Sequence, residues 1–445
     1  MAGAFRLTVP SATDRPATDR EGTDREGVDA AADAVVRELF FTTAGRSDPY
    51  SHYAWLRAHA PTHPVGFADA WVVSRYDTAQ SVLRDPRLGK APANFNDLLA
   101  EPGAEVRPMP AIMREGALVF MNPPEHTRLR SLVGKAFTPR RVEQLRAVTT
   151  ARAEGLLDDL LRAAPASAGT VEIDVMDTFA FEVPVQVISD LVGVPPDDRA
   201  AFRQWVRAGA VGLEPGAADH EWDDAQRAAK DLAVYFHGLI RARRKNPADD
   251  LLSDLIAARD GADRLSKTEL IVTTILLFGA GFETTMNLIG NAMLTLARNP
   301  DELERLARDP DLVGTAVDEV LRYESTAQIA GRLALEEVEI DGHHIPAGAW
   351  VIALLGSANR DPDAFPDPDR FDVGRQPNFH LSFSAGAHHC IGAALARMEL
   401  GVVLDLLARR FSGIELVDPN PQWRPGLVVR GPERLPTRCT LRTPA

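Results

Sequence analysis

Phe383-Ser384-Ala385-Gly386-Ala387-His388-His389-Cys390-Ile391-Gly392 is the stretch on which the reading of this chain turns. A thiol sits in a glycine-bounded loop, and an apolar, helix-forming run follows at once. The chain has only two cysteines, so Cys390 belongs to no disulfide framework and no four-sulfur zinc site. A helix starting just beyond it favours the anionic thiolate, because the first N–H groups of a helix carry positive potential. On these residues alone three readings stand open: a soft ligand for a metal such as haem iron, a catalytic nucleophile, or an inert buried thiol. The inert thiol is the safest of the three taken by itself. His388 and His389 do not turn the loop into a zinc centre, since adjacent residues rarely close a tetrahedral site.

Composition bounds the answer. Hydrophobic residues make up 45% and charged residues 25% of 445 residues, as in a soluble globular enzyme. The net charge of −14 argues against nucleic acid as a partner. No uninterrupted apolar run reaches about eighteen residues, so no membrane span is expected. Met1 to Pro10 lacks the basic-then-apolar layout of a secretory signal, and two distant cysteines suit a reducing compartment, so the expected location is cytoplasmic. Cys439 reads as a strand residue without a role.

Thr-Asp-Arg recurs at 13, 18 and 23, in a polar stretch with no apolar face. Residues 1–35 are therefore expected to be a disordered polar extension, and 36–445 a single domain, since no central linker divides them. Trp71-Val72-Val73 reads as a strand, with a helix closed by Pro86 after it. Residues 91–116 read as a long loop. Amphipathic stretches at 141–163, 175–193, 198–211 and 220–245 read as helices separated by Gly/Pro breaks. Val338-Glu339-Ile340 and Trp350-Val351-Ile352 read as a hairpin.

Ser266-Lys267-Thr268-Glu269 is a capping box flanked by Leu265 and Leu270, a hydrophobic staple. The helical pattern then runs unbroken to Pro300, about 45 Å at 1.5 Å per residue, so this helix must cross the middle of the fold. Its centre is Gly279-Ala280-Gly281-Phe282-Glu283-Thr284. Two glycines there cost about 1 kcal/mol each relative to alanine, and let something bulky approach. The Thr284 hydroxyl can take a backbone carbonyl and open the helix locally.

Four motifs in one order now resemble the cytochrome P-450 family of haem-thiolate monooxygenases, in its soluble bacterial class. They are Ala280-Gly281-Phe282-Glu283-Thr284-Thr285, Glu319-Val320-Leu321-Arg322, Asp369-Arg370-Phe371 and the cysteine loop. Glu-x-x-Arg alone says almost nothing; the cysteine decapeptide is highly specific. The resemblance covers roughly residues 36 to 443. It implies a mainly α fold with a small β-rich region, a triangular helical prism around a buried haem b (iron protoporphyrin IX). Cys390 is then the axial iron ligand, and Phe383, Gly392 and Ala280 lie against the cofactor. Pro123-Pro124-Glu125-His126-Thr127-Arg128-Leu129-Arg130 resembles the segment that reaches a haem propionate, through His126 and Arg130; Arg332 and His388 fall at the other propionate-pairing positions. Arg370 is expected to join Glu319 and Arg322 in a buried structural triad. Thr284 and Glu283 are the implied catalytic pair, delivering protons during oxygen activation. Ser384 departs from the glycine usual after Phe383, and Asn122 from an aspartate common before the two prolines.

The implied reaction is hydroxylation or epoxidation of a largely apolar secondary metabolite, such as a polyketide or terpenoid, by a monomer using O2 and electrons from a ferredoxin and its reductase. The resemblance points to the 91–119 loop, the 205–222 helix junction, Phe278 and Gly279, Ser325 to Ala330 and Leu427 to Arg430 as pocket segments, with Gln328 either orienting substrate or capping a strand. A basic group of Arg128, Arg130, Lys135, Arg140 and Arg141 is either a ferredoxin-docking face or a solvated helix face. Two other readings remain: peroxide-driven oxidation, coupling or rearrangement on the same fold, and a non-catalytic haem- or ligand-binding recruitment protein. The Glu283-Thr284 pair argues against both.

Overall fold

The computed structural model describes residues 17–91, 116–163, 169–199, 201–202, 204–205, 208, 219–259, 263–424 and 426–442. In chain order the main helices are α1 Ala17–Phe41, α2 Pro49–His59, α3 Tyr76–Arg84, α4 Glu125–Ala136, α5 Pro139–Ala163, α6 Phe181–Val192, α7 Asp219–Lys245, α8 Leu251–Ala257, α9 Lys267–Arg298, α10 Pro300–Arg308, α11 Val313–Tyr323 and α12 Ala393–Arg410. The expected loop at 91–116 and the helix at 198–211 lie mostly outside the described residues.

α9 is the axis. Ser266 Oγ accepts from the Glu269 amide at 3.2 Å, and Glu269 Oε2 accepts from the Ser266 amide at 2.8 Å, closing the capping box. Phe278, Phe282, Met286, Ile289 and Met293 are all buried, and α9 packs against α6, α7, α11 and α12. Among the described residues it is the one helix long and apolar enough to cross a bilayer, but 56% of its apolar window is buried inside the fold. Those properties belong to a core helix.

Two sheets flank the helices. The larger has the order β1-β2-β8-β5-β3, from Thr62–Val65, Ala70–Val73, Trp350–Leu354, Ile329–Ala334 and Leu88–Gly89. The smaller has the order β4-β10-β9, from Thr170–Asp174, Pro436–Leu441 and Phe411–Leu416. Cys439 lies in β10, fully buried.

Two expectations are corrected. The hairpin is not 338–340 with 350–352. β6 Val338–Ile340 pairs with β7 His343–Ile345 across Asp341-Gly342, both at positive φ (50° and 75°), the two-residue turn whose twist suits a hairpin. β8 instead runs parallel to β2 and antiparallel to β5; its four buried residues, Val351 to Leu354, call for neighbours on both sides. Ordered packing also begins before residue 36: α1 starts at Ala17, Ala32 is fully buried, and Val28 packs on the same cluster. Ala32, Val36, Leu39 and Phe40 form a helical stripe, and Asp33 accepts hydrogen bonds from His63 and from the Gly66 amide, both at 2.9 Å.

Candidate functional site

The cysteine loop is held by its own backbone. The Cys390 amide donates to Phe383 O at 2.9 Å, the His389 amide to Gly386 O at 3.1 Å and the Ser384 amide to Leu381 O at 2.7 Å. Gly386 sits at φ +69°, and a Cβ there would lie 2.6 Å from the Leu83 carbonyl, so α3 packs directly on the loop. Gly392 caps α12. Cys390 is exposed as a residue although protein surrounds its sulfur on the other sides, the mark of a group opening onto a cleft. Burial pushes the thiol up. The Gly392 amide, then the charges of Arg130 and Arg397, and last the Ala393 amide favour the thiolate. Phe383 lies beneath the Arg397 guanidinium, 4.6 Å from ring centroid to carbon.

On α9, Thr284 Oγ1 donates to Ala280 O at 2.6 Å, the competition for a carbonyl that its position suggested. Ala280 is exposed, Thr284 is half-buried, and a Cβ on Gly279 would meet nothing within 4 Å. This turn of α9 therefore presents an open face. Gly281 serves a different purpose: a Cβ there would touch Ile188 of α6 at 3.3 Å. Phe278 is no pocket residue; it is buried with Phe202 and Phe236. Glu283 is 9% exposed, and its Oε1 pairs with Arg424 Nη1 at 3.2 Å. Arg424 is a contact the sequence reading missed, since nothing local to it marks a partner on α9.

A cluster of donors lines the other side. His126 is buried, its ring lies 4.2 Å from that of His388, and its Nε2 has no partner. Arg130 Nη2 donates to His389 O at 2.6 Å. Arg332, 1% exposed, reaches only Gly331 O, Leu83 O and Ser384 Oγ among the described residues. Lys90, absent from the sequence reading, donates Nζ to Gly331 O at 2.9 Å. Among the described residues no carboxylate pairs with any of these five. The consequences are large. Burial, then the charges of His126, Lys90, Arg332 and Arg130, drive His388 down to about 3; burial brings Arg332 to about 10, and burial with Arg332 brings Lys90 to about 7. Buried cations without counter-ions are costly unless an anion arrives. The two carboxylates of a haem are such anions, and a cysteine sulfur open to the same region is such a group's axial donor. The residues fit the cofactor.

Behind the loop lies an ion-pair triad, with one member corrected. Glu319 and Arg322, both fully buried, pair through Nε–Oε2 and Nη2–Oε1, each at 2.8 Å. The third member is Arg375, whose Nε meets Glu319 Oε1 at 3.1 Å. Arg370 points outward, 66% exposed, 4.0 Å from Asp372; only its carbonyl joins, accepting from Arg322 and Arg375. Gln328 is structural: it is fully buried, accepting from Tyr53 OH at 3.1 Å and donating to Ser325 O at 2.6 Å. Arg430 is likewise structural, buried against Glu324 and Trp423. The basic group is partly spent on neighbours: Arg128 pairs with Glu269, Arg141 with Asp249, and Lys135 donates to Arg259 O.

A long helix packed on a cysteine-loop helix, with hydrogen-bond donors gathered beside the thiol and no carboxylate paired to them among the described residues, suits the holding of a haem. A family model described as Cytochrome P450 matches residues 215–435. Cytochrome P450 monooxygenase PikC of Streptomyces venezuelae is 40% identical over 399 residues, covering 88% of this chain and 91% of that protein. 6-Deoxyerythronolide B hydroxylase of Saccharopolyspora erythraea is 40% identical over 404 residues, covering 88% and 96%. The structure of P450 RauA complexed with a biosynthetic intermediate of aurachin RE superposes with a TM-score of 0.81 at 34% identity, covering 90% and 98%. The chain belongs to the cytochrome P450 family, has its fold, and is an oxidoreductase of the monooxygenase class.

Proposed function

We propose that this chain binds iron protoporphyrin IX (haem b) with Cys390 as axial ligand, and inserts one oxygen atom from O2 into a largely apolar secondary metabolite of the polyketide or terpenoid kind. The observation that carries this reading is the Cys390 sulfur, held at the N-terminus of α12 beside the Arg130, Arg332 and Lys90 donors, none of which meets a carboxylate among the described residues. A relative named for polyketide biosynthesis, cytochrome P450 PksS of Bacillus subtilis, 37% identical over 394 residues, supports the substrate class. When bound, haem supplies O2 activation and oxygen-atom transfer at the expense of two electrons and two protons, the second oxygen leaving as water.

The chain's own residues bind, orient and move protons. Cys390 supplies its thiolate, which the Gly392 and Ala393 amides stabilise. His126, Arg130, Arg332 and His388 would hold the carboxylates through charge-assisted or ring N–H bonds, and Phe383, Gly392 and Ala280 would lie against the cofactor. Thr284 Oγ1, by leaving the Ala280 carbonyl, can donate a proton into the cleft. Glu283 replenishes that proton, its carboxylate steered by Arg424. Electrons come from a ferredoxin and its reductase in the cytoplasm, and the working unit is a monomer in which the chain from α1 onward acts as one catalytic body.

The test is spectral and chemical. The reduced, CO-bound protein is expected to show the red-shifted Soret band of thiolate ligation, and Cys390→Ala to lose it. With ferredoxin, reductase and NADPH, labelled O2 is expected to leave one labelled atom in the product. Folded, haem-loaded protein without that band would refute the haem-thiolate reading.

A further inference from the structure

We propose that Lys90 is an additional anchor for the cofactor's carboxylates, and that Asn122 positions it. The proposal rests on the haem reading above. It also explains why a lysine and an asparagine stand where they do.

Lys90 follows β3, which pairs with β5 in the register Leu88↔Ala334 and Gly89↔Leu333. Continued by one residue, that register sets Lys90 opposite Arg332. Like charges directly across a ladder repel, and here neither has a carboxylate partner among the described residues. Arrangement of two cations face to face in the interior makes physical sense around an anion. Lys90 Nζ spends one of its three N–H donors on Gly331 O at 2.9 Å and, among the described residues, has two left. Burial and the Arg332 charge both press this ammonium toward neutrality, a pressure that a bound carboxylate would remove. A second, independent sign of a missing anion is the buried, unpartnered Nε2 of His126.

Asn122 grips Lys90 from both sides. Its Oδ1 accepts from the Lys90 amide and its Nδ2 donates to the Lys90 carbonyl, each at 2.7 Å. Only a side-chain amide supplies donor and acceptor together; an aspartate would set a lone pair against the carbonyl. The grip is close enough that a Cβ on Gly89 would sit 2.5 Å from Asn122 Oδ1, so Gly89 is part of the device. Asn122 stands four residues before His126. One short segment thereby places two anchors, His126 on α4 and Lys90 through the clamp.

The experiment uses haem-loaded protein and follows haem transfer to excess apomyoglobin, together with the ferric/ferrous potential. Lys90→Met is expected to release haem roughly ten- to a hundredfold faster, the loss of one charge-assisted hydrogen bond. The potential should move to more negative values, because a cation that favoured the reduced state is gone. Lys90→Arg should restore both. If Lys90→Met does not fold, Lys90→Gln, which keeps a donor without charge, is read the same way. Release at the wild-type rate, or an unmoved potential with no rescue by arginine, overturns the proposal. A wild-type protein lacking the thiolate CO band would instead overturn the haem reading itself, so the two failures are distinct.

Discussion

Exchanging the two meander arginines for alanine separates a supporting residue from a bystander. Arg375 makes four hydrogen bonds: Nε with Glu319 Oε1 at 3.1 Å, Nη1 with Pro366 O at 2.6 Å, and Nη2 with Asp367 O and Arg370 O at 3.1 and 2.9 Å. Glu319 is fully buried and also accepts from Arg322, Asn378 and the Asp372 amide. Arg375→Ala removes one of its two cationic partners and frees carbonyls that shape the segment leading to Phe383. Breaking a buried pair by deleting one partner costs about 3–5 kcal/mol; because Arg322 stays, the lower half of that range applies. Arg370→Ala removes only an exposed, 4.0 Å contact with Asp372, and such pairs contribute about 0–1 kcal/mol. For a chain of this length each kcal/mol moves the melting temperature by about 1 °C. Thermal unfolding of haem-loaded protein is therefore expected to show a drop of about 3–4 °C for Arg375→Ala and less than about 1 °C for Arg370→Ala. The Arg375 variant should also lose haem ligation first, since the triad backs the cysteine loop. Equal losses for the two variants, or a larger one for Arg370→Ala, would refute the assignment of Arg375.

Two further outcomes follow from α9 and the cysteine loop. Thr284→Ala and Glu283→Gln should each cut product formation by about a hundredfold or more, the usual worth of a positioned proton donor, while reductant is still consumed and peroxide appears; full coupling in both variants would remove the pair from the mechanism. Ser384 holds φ +60°, where a Cβ costs about 1–2 kcal/mol. Ser384→Gly relieves that strain but adds about 0.5–1 kcal/mol of unfolded-chain entropy, so its melting temperature should stay within about 1 °C of wild type. Ser384→Val, β-branched at positive φ, should melt clearly lower; a valine variant as stable as the glycine one would show that the loop is not strained.

What the sequence made legible was local. The capping box at Ser266 and the unbroken pattern after it define α9 because every signal lies within a turn or two of the residue it governs. The cysteine loop is legible for the same reason: its hydrogen bonds close within ten residues. What stayed hidden is pairing across the chain. β8 was matched to the wrong partner because a strand buried on both sides carries no mark of which strands flank it. The motif Asp369-Arg370-Phe371 identified the right segment but the wrong arginine. In the meander Arg370 turns to solvent and Arg375 turns to Glu319, and which arginine faces inward leaves no trace in composition. On the rim of the cleft, resemblance to the family had pointed to His126, Arg332 and His388, and only Lys90 went unseen. Lys90, His126, Arg332 and His388 come from four segments, and none is unusual where it stands; only their convergence without a carboxylate is. Burial opposes the charges of Lys90 and Arg332, and an anion beside them would favour both. The departure at Asn122 then reads as the part that aims Lys90 at that anion rather than as a drift from a common residue.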